Sequence, residues 1–155
     1  MKFNSEMRLA IEHGEKVVTR RLLEPPPPYD YGDDGIDVLW ATGELECPYG
    51  AVGDKFRVGA TTQEITSISV QRLQDITEED AKAEGIDFIP GYERPSGNSL
   101  YSAPQCGNRP PYYETQARVA FMWLWDSIYK KSGHGWDKND WVWVIDFKTV
   151  REDGK

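Results

Sequence analysis

Gly14-Glu15-Lys16-Val17-Val18-Thr19-Arg20-Arg21 is the stretch around which the rest of the chain is organised. Glycine suits the left-handed residue that closes a helix. Val17, Val18 and Thr19 favour extended backbone. The stretch is therefore a helix-to-strand corner, where side chains project from a fixed frame. It sets an amine (Lys16), a hydroxyl (Thr19) and two guanidiniums (Arg20, Arg21) within six residues.

Upstream of the corner, Phe3, Met7, Ala10 and Ile11 recur at helical spacing, with Asn4 or Ser5 available as a cap. This predicts a helix of about three turns ending near His13-Gly14. Downstream, a strand runs from Val17 to about Leu23, and Pro25–Pro28 ends it because proline donates nothing to a ladder. The four prolines form a stiff polyproline spacer. Val38–Ala41 and Glu44–Glu46 flank Thr42-Gly43 and read as a hairpin. Val52-Gly53-Asp54 is a turn into the strand Phe56-Arg57-Val58.

A long strand spans Glu64 to Leu73. Ile68 and Val70 alternate with polar residues, but Ile65 has the opposite parity, which predicts a bulge of the kind that bends barrel strands. Thr77 caps a short helix with Glu78, Glu79 and Asp80 in its first turn, and Glu84 closes it before Gly85. Residues 87–113 are rich in Pro, Gly, Ser and Asn and read as one long irregular segment. Its tyrosines (Tyr92, Tyr101, Tyr112, Tyr113) read as loop anchors. The longest helix is expected over 114–131, with an apolar stripe of Ala117, Phe121, Leu124 and Ile128 widened by Val119, Met122 and Trp123. Trp141, Trp143, Ile145 and Phe147 alternate with Val142 and Val144, as in a strand buried on both faces. Residues 151–155 are a polar tail.

The length of 155 residues fits one domain. No apolar run is long enough to span a bilayer, and no basic-then-apolar leader opens the chain, so the expected location is the cytoplasm. Eighteen basic against 26 acidic residues leave a net charge of −8, which disfavours general binding to phosphate backbones. No Lys or Arg occurs from Leu22 to Asp54, whereas residues 1–21 hold five basic side chains against three acidic ones. Lys16, Arg20 and Arg21 thus form a cationic spot on an acidic molecule, a pattern of a focused pocket rather than a nucleic-acid track. Cys47 and Cys106 are far apart, and His13 and His134 do not complete a metal-ligand spacing. Both cysteines read as free thiols, with no metal and no cofactor expected.

Gly14–Lys16 followed by Thr19-Arg20-Arg21 resembles the opening signature of the ASCH domain, a small barrel family related to the PUA RNA-binding fold. Leu73–Ala81 through Glu84-Gly85 is similar to that family's mid-domain strand-to-helix segment. Trp136–Phe147 resembles its closing strand, in a form common in phage-encoded members. The resemblance covers residues 1–150 as a single domain, with insertions at about 24–44 and 87–113. It implies an α+β fold: a small mixed β-barrel with an N-terminal helix, a short mid-chain helix and a longer helix before the last strand.

Amine beside hydroxyl is a way to make a nucleophile without histidine, because a neutral lysine can take the hydroxyl proton. Lys16 and Thr19 fall on opposite faces of a strict strand, so Lys16 must reach back from the corner. By itself the pair is a weak signal, because a Lys and a Thr near each other on a surface strand usually do nothing. The resemblance implies more. Bacterial members of the family are amidohydrolases that remove the acyl group of N(4)-acylcytidines, N(4)-acetylcytidine among them, through a Lys, a Thr three residues on, and a Glu after the long strand. Those places are Lys16, Thr19 and Glu84 here. Arg21 also matches an arginine of those proteins and shares Thr19's strand face, whereas Arg20 does not match; both are candidate substrate-binding residues. Val17 departs from the signature, where Thr is frequent. The expected partner is a small modified nucleoside. The rival classes are a PUA-like RNA-binding module or ribonuclease, and a modified-nucleoside sensor without turnover.

Overall fold

The structure is a computed structural model, and it describes residues 2–3, 5–23, 45–85, 87–93, 99–102 and 117–150. The polyproline spacer, the hairpin at Thr42-Gly43, the tyrosines at 112 and 113, Cys106 and the polar tail lie outside the described residues.

Helix α1 (Ser5–Glu12) ends where the glycine predicts. Gly14 has φ 77°, and Glu15 N donates to Ala10 O at 2.9 Å, closing the last turn. The chain then enters β1 (Val18–Leu22). Strand β2 (Lys55–Val58) pairs with β3 (Thr61–Arg72), and β3 leads through a 3-10 turn (Leu73–Asp75) into α2 (Glu78–Ala83). Thr77 and Asp80 form a reciprocal capping box on α2. Strands β4 (Asp87–Glu93) and β5 (Ser99–Ser102) follow, then α3 (Ala117–Tyr129) and β6 (Trp141–Val150).

The fold is α+β. The main sheet is a curled half-barrel in the order β1-β6-β3-β2, with every described pairing antiparallel. The bulge falls where the parity break predicts. Ile65 faces Phe147 and Ser67 faces Asp146, so Thr66 is the extra residue that bends β3. β6 is central, between β1 and β3. Val142 and Val144 pack with Val18, Leu22 and the apolar side of α3. Trp143 and Ile145 pack on the other face with Leu23, Ile65 and Val70. Burial on both sides explains the nearly unbroken apolar run of this strand.

Two expectations change. Residues 87–113 are not irregular throughout, because β4 and β5 form a two-stranded antiparallel sheet. Pro90-Gly91 lies inside the register shift between Ile89 and Glu93, where the ladder is already broken, so these residues do not forbid a strand. The apolar stripe of α3 is also not all core: Phe121, Leu124 and Trp125 are buried, but Ile128 is 49% exposed.

Helix α3 is tied directly to α2. The Glu78 carboxylate accepts from Ala117 N at 2.6 Å and from Arg118 N at 3.0 Å. An acidic side chain receiving the free N–H groups of a helix's first turn is favoured by both hydrogen bonding and the helix dipole. The residue after α2 is Glu84, so this bond also sets α3 opposite Glu84.

Candidate active site

The corner and the end of α2 meet backbone to backbone. Val17 N donates to Ala83 O at 2.9 Å, and Lys16 pairs with Glu84 as an isolated antiparallel β-bridge. Gly85 follows in the left-handed region, φ 93°, which turns the chain away after Glu84. The helix exit and the helix end thus place two charged side chains against each other inside the molecule.

Lys16 is 1% exposed and Glu84 2%. Lys16 Nζ donates to Glu84 Oε2 at 2.6 Å and to the Glu84 carbonyl at 3.0 Å. Burial pushes the Lys16 pKa below the ordinary lysine value; the Glu84 charge opposes this, and the Arg21 and Arg20 charges assist it. Burial disfavours the charged amine most, so the neutral form required of a lysine base is brought closer.

Arg20 is the other cation held by Glu84. Its Nη1 donates to Glu84 Oε1 at 3.3 Å, and its Nη2 donates to Asp80 Oδ2 at 3.0 Å and to Gln71 Oε1 at 3.5 Å. Arg20 Nε is buried without a hydrogen-bond partner. The same Asp80 Oδ2 receives Thr77 N in the α2 cap at 3.4 Å, so the helix cap and the site share one carboxylate. Asp80 and Gln71 are supports that sequence reading missed. The acidic first turn of α2 was legible as a dipole device, but its reach across to β1 was not.

Thr19 is 3% exposed and Arg21 is half-buried beside it. Arg21 Nε donates to Thr19 Oγ1 at 3.2 Å, as their shared strand face predicts. Arg21 is held in turn by the Lys2 carbonyl at 2.7 Å and lies 4.8 Å from the Phe3 ring centroid. Among the described residues the Lys16 amine contacts Glu84 rather than the Thr19 hydroxyl, so the expected amine–hydroxyl pair is replaced by an amine–carboxylate pair next to a guanidinium–hydroxyl pair.

All five residues line one cavity of about 240 Å³. Its other wall is apolar: Met7 from α1, and Phe121, Leu124, Trp125, Ile128 and Tyr129 from α3. A helical apolar stripe signals burial in general and does not separate a core face from a cavity wall, which is why α3 reads as core in the sequence. Strand β5 lies beside α3, the helix that walls the cavity.

Asp146 on β6 stands near this cluster. Burial raises its pKa, and its bond to Ser67 and the Arg20 charge lower it. No group of three or more His, Cys, Asp and Glu arranged to hold a metal occurs among the described residues. Among them Cys47 is a free cysteine, and no helix is long and apolar enough to cross a membrane.

Fold and site together define an α+β half-barrel protein with a buried Lys-Glu-Arg cluster and a threonine hydroxyl in one cavity. No protein-family model and no curated protein matches the chain. Among solved structures it is similar to the crystal structure of an ASCH domain from Lactobacillus crispatus JV V101, at 15% identity and TM-score 0.48, covering 94% of this chain and 71% of that one.

Proposed function

We propose that the protein is an amidohydrolase that removes the acyl group from N(4)-acylated cytidines. The observation that carries this reading is the buried Lys16–Glu84 contact at 2.6 Å in a cavity that also receives Thr19 and Arg21. It is supported by the ASCH-like order of Lys16, Thr19, Arg21 and Glu84 along the chain.

In this reading Lys16 and Glu84 are the proton-transferring pair. A proton moved from Lys16 Nζ to Glu84 Oε2 leaves a neutral amine and a neutral acid at the cavity wall. The Thr19 hydroxyl adds to the acyl carbon and its proton passes to Lys16. Arg21 Nε, already bonded to Thr19 Oγ1, stabilises the charge that develops on that oxygen as the proton leaves. The tetrahedral intermediate then collapses: the bond between the acyl carbon and the exocyclic nitrogen breaks, and the nitrogen takes the proton carried by Glu84. Water hydrolyses the acyl-threonine, releasing a carboxylic acid and restoring the hydroxyl. Arg20 keeps Glu84 oriented through Oε1 while Oε2 faces the amine.

The test is incubation with N(4)-acetylcytidine and N(4)-benzoylcytidine, with chromatographic detection of cytidine. Release of cytidine by the wild type and not by Lys16→Arg is expected. No cytidine from any N(4)-acylcytidine would end this reading, and salt-sensitive retention of RNA in its place would favour an RNA-binding module.

A further inference from the structure

The cavity has two chemically distinct sides, and the second has no part in the proton transfers above. On the α3 side, Phe121, Leu124 and Trp125 are each 2% exposed and fixed in the core. The polar atom of Trp125 faces away from a ligand, because its indole Nε1 donates to the His134 carbonyl at 2.8 Å. Its ring lies against Tyr129 with centroids 4.2 Å apart. Ile128 extends this surface outward and is 49% exposed, with Tyr129 half-buried beside it. The charged side chains Lys16, Arg20, Arg21 and Glu84 and the Thr19 hydroxyl stand opposite, at the corner, on β1 and at the end of α2, and on the α3 side the hydroxyl is that of Tyr129.

An amide held at Thr19 and Glu84 carries two substituents. The cytosine ring has a ring nitrogen and a carbonyl that must be hydrogen-bonded when buried; placing them against carbon would leave both unsatisfied. The substituent on the acyl carbon has no such atoms. The acyl substituent is therefore the part that meets α3, and the base stays with the charged wall. A single methyl would leave the exposed Ile128 side chain and the half-buried Tyr129 ring in water, whereas a larger apolar group reaches them and removes that surface from water.

We infer that the α3 face of this cavity is an acyl-binding wall, and that the preferred substrates carry an aromatic or branched acyl group larger than acetyl. This rests on the amidohydrolase reading for its chemistry, but its binding half can be measured without turnover.

The experiment has two arms. In the first, kcat/KM is measured for N(4)-acetyl-, N(4)-isobutyryl- and N(4)-benzoylcytidine with the wild type and with Ile128→Ser. The expected result is a preference of at least about tenfold for benzoyl over acetyl, since one methylene in an apolar pocket is worth about tenfold or more. Ile128→Ser should shrink that ratio severalfold. In the second arm, Kd for the same compounds is measured by calorimetry on Thr19→Val. Tighter binding of the benzoyl compound is expected there too. Benzoyl preference in binding without hydrolysis by the wild type would retain the wall and overturn the amidohydrolase reading. Turnover with acetyl equal to or better than benzoyl, or a ratio indifferent to Ile128→Ser, would overturn the wall and leave the amidohydrolase reading intact. Equal or weaker binding of the benzoyl compound would likewise overturn the wall.

Discussion

Lys16 and Glu84 are joined by a β-bridge between their backbones and by a 2.6 Å contact between Lys16 Nζ and Glu84 Oε2. The first fixes the second. A long lysine side chain loses much rotamer freedom when buried, and here the backbone pairing has already placed its partner. The cost of burying two charges is offset by the Glu84 carbonyl and by Arg20, which satisfy further hydrogen-bonding groups of the pair.

Lys16→Arg keeps a positive charge but gives up a usable base, because arginine holds its proton at every ordinary pH. Activity on an N(4)-acylcytidine should fall by about two to four orders of magnitude. In the wild type the proton that starts on Lys16 is the one the leaving nitrogen finally takes, so kcat/KM should fall once rising pH removes it from the site. That fall should begin below the ordinary lysine value of 10.5, because burial lowers the Lys16 pKa. A rate in Lys16→Arg close to wild type would remove Lys16 from the role of base.

Thr19→Ser and Thr19→Val separate hydroxyl from shape. Serine keeps the oxygen that Arg21 Nε contacts at 3.2 Å, and valine replaces it with a methyl of similar size. Measurable turnover is expected from Thr19→Ser and none above background from Thr19→Val. Mass spectrometry of Thr19→Ser quenched during turnover should find an acyl adduct on that residue. Full activity in Thr19→Val would mean that water, not Thr19, attacks the substrate.

Arg20→Leu tests the support of Glu84. Arg20 and Glu84 are both buried, and removing one member of such a pair leaves the other short of a partner. Glu84 retains Lys16, so the loss should sit near the lower end of the usual range, about 3 kcal/mol in chemical denaturation. Adding Glu84→Gln should bring a total loss smaller than the sum of the two single losses, a coupling that a double-mutant cycle reads directly. Strict additivity would show that Arg20 acts through Asp80 and Gln71 instead.

Asp146→Asn addresses the half-buried carboxylate of β6. Burial raises its folded pKa above 3.8, so the folded protein binds this proton more tightly than the unfolded chain does. By linkage, its ionisation lowers stability as pH rises through the interval between 3.8 and the raised value, and the deficit persists at neutral pH. Asparagine cannot ionise and can still meet Ser67. The thermal midpoint of Asp146→Asn should exceed that of the wild type at neutral pH, and the gap should close as pH falls towards 3.8. A gap that stays constant with pH would assign the effect to packing instead of charge.

Much of the fold was legible locally. Gly14 closing α1, the β-branched entry to β1, the parity break at Ile65, and Thr77 with its acidic first turn each act through neighbours a few residues away, and such short-range chemistry is carried by the sequence itself. The double-sided apolar run of β6 likewise marked a strand covered on both faces. For the site, sequence placed Arg21 beside Thr19 by strand parity alone, and the order of Lys16, Thr19 and Glu84 by resemblance. What only the tertiary structure decided is how residues 68 positions apart meet: the Lys16 amine turns to Glu84 and not to Thr19. It also decided that Arg20 is taken up by Asp80 and Gln71, and that the stripe of α3 divides between core and cavity wall. The reason is physical. Periodicity reports that a face leaves water, not what covers it. The pairing of buried charges depends on which chain ends the sheet brings together, and no local pattern encodes that distance.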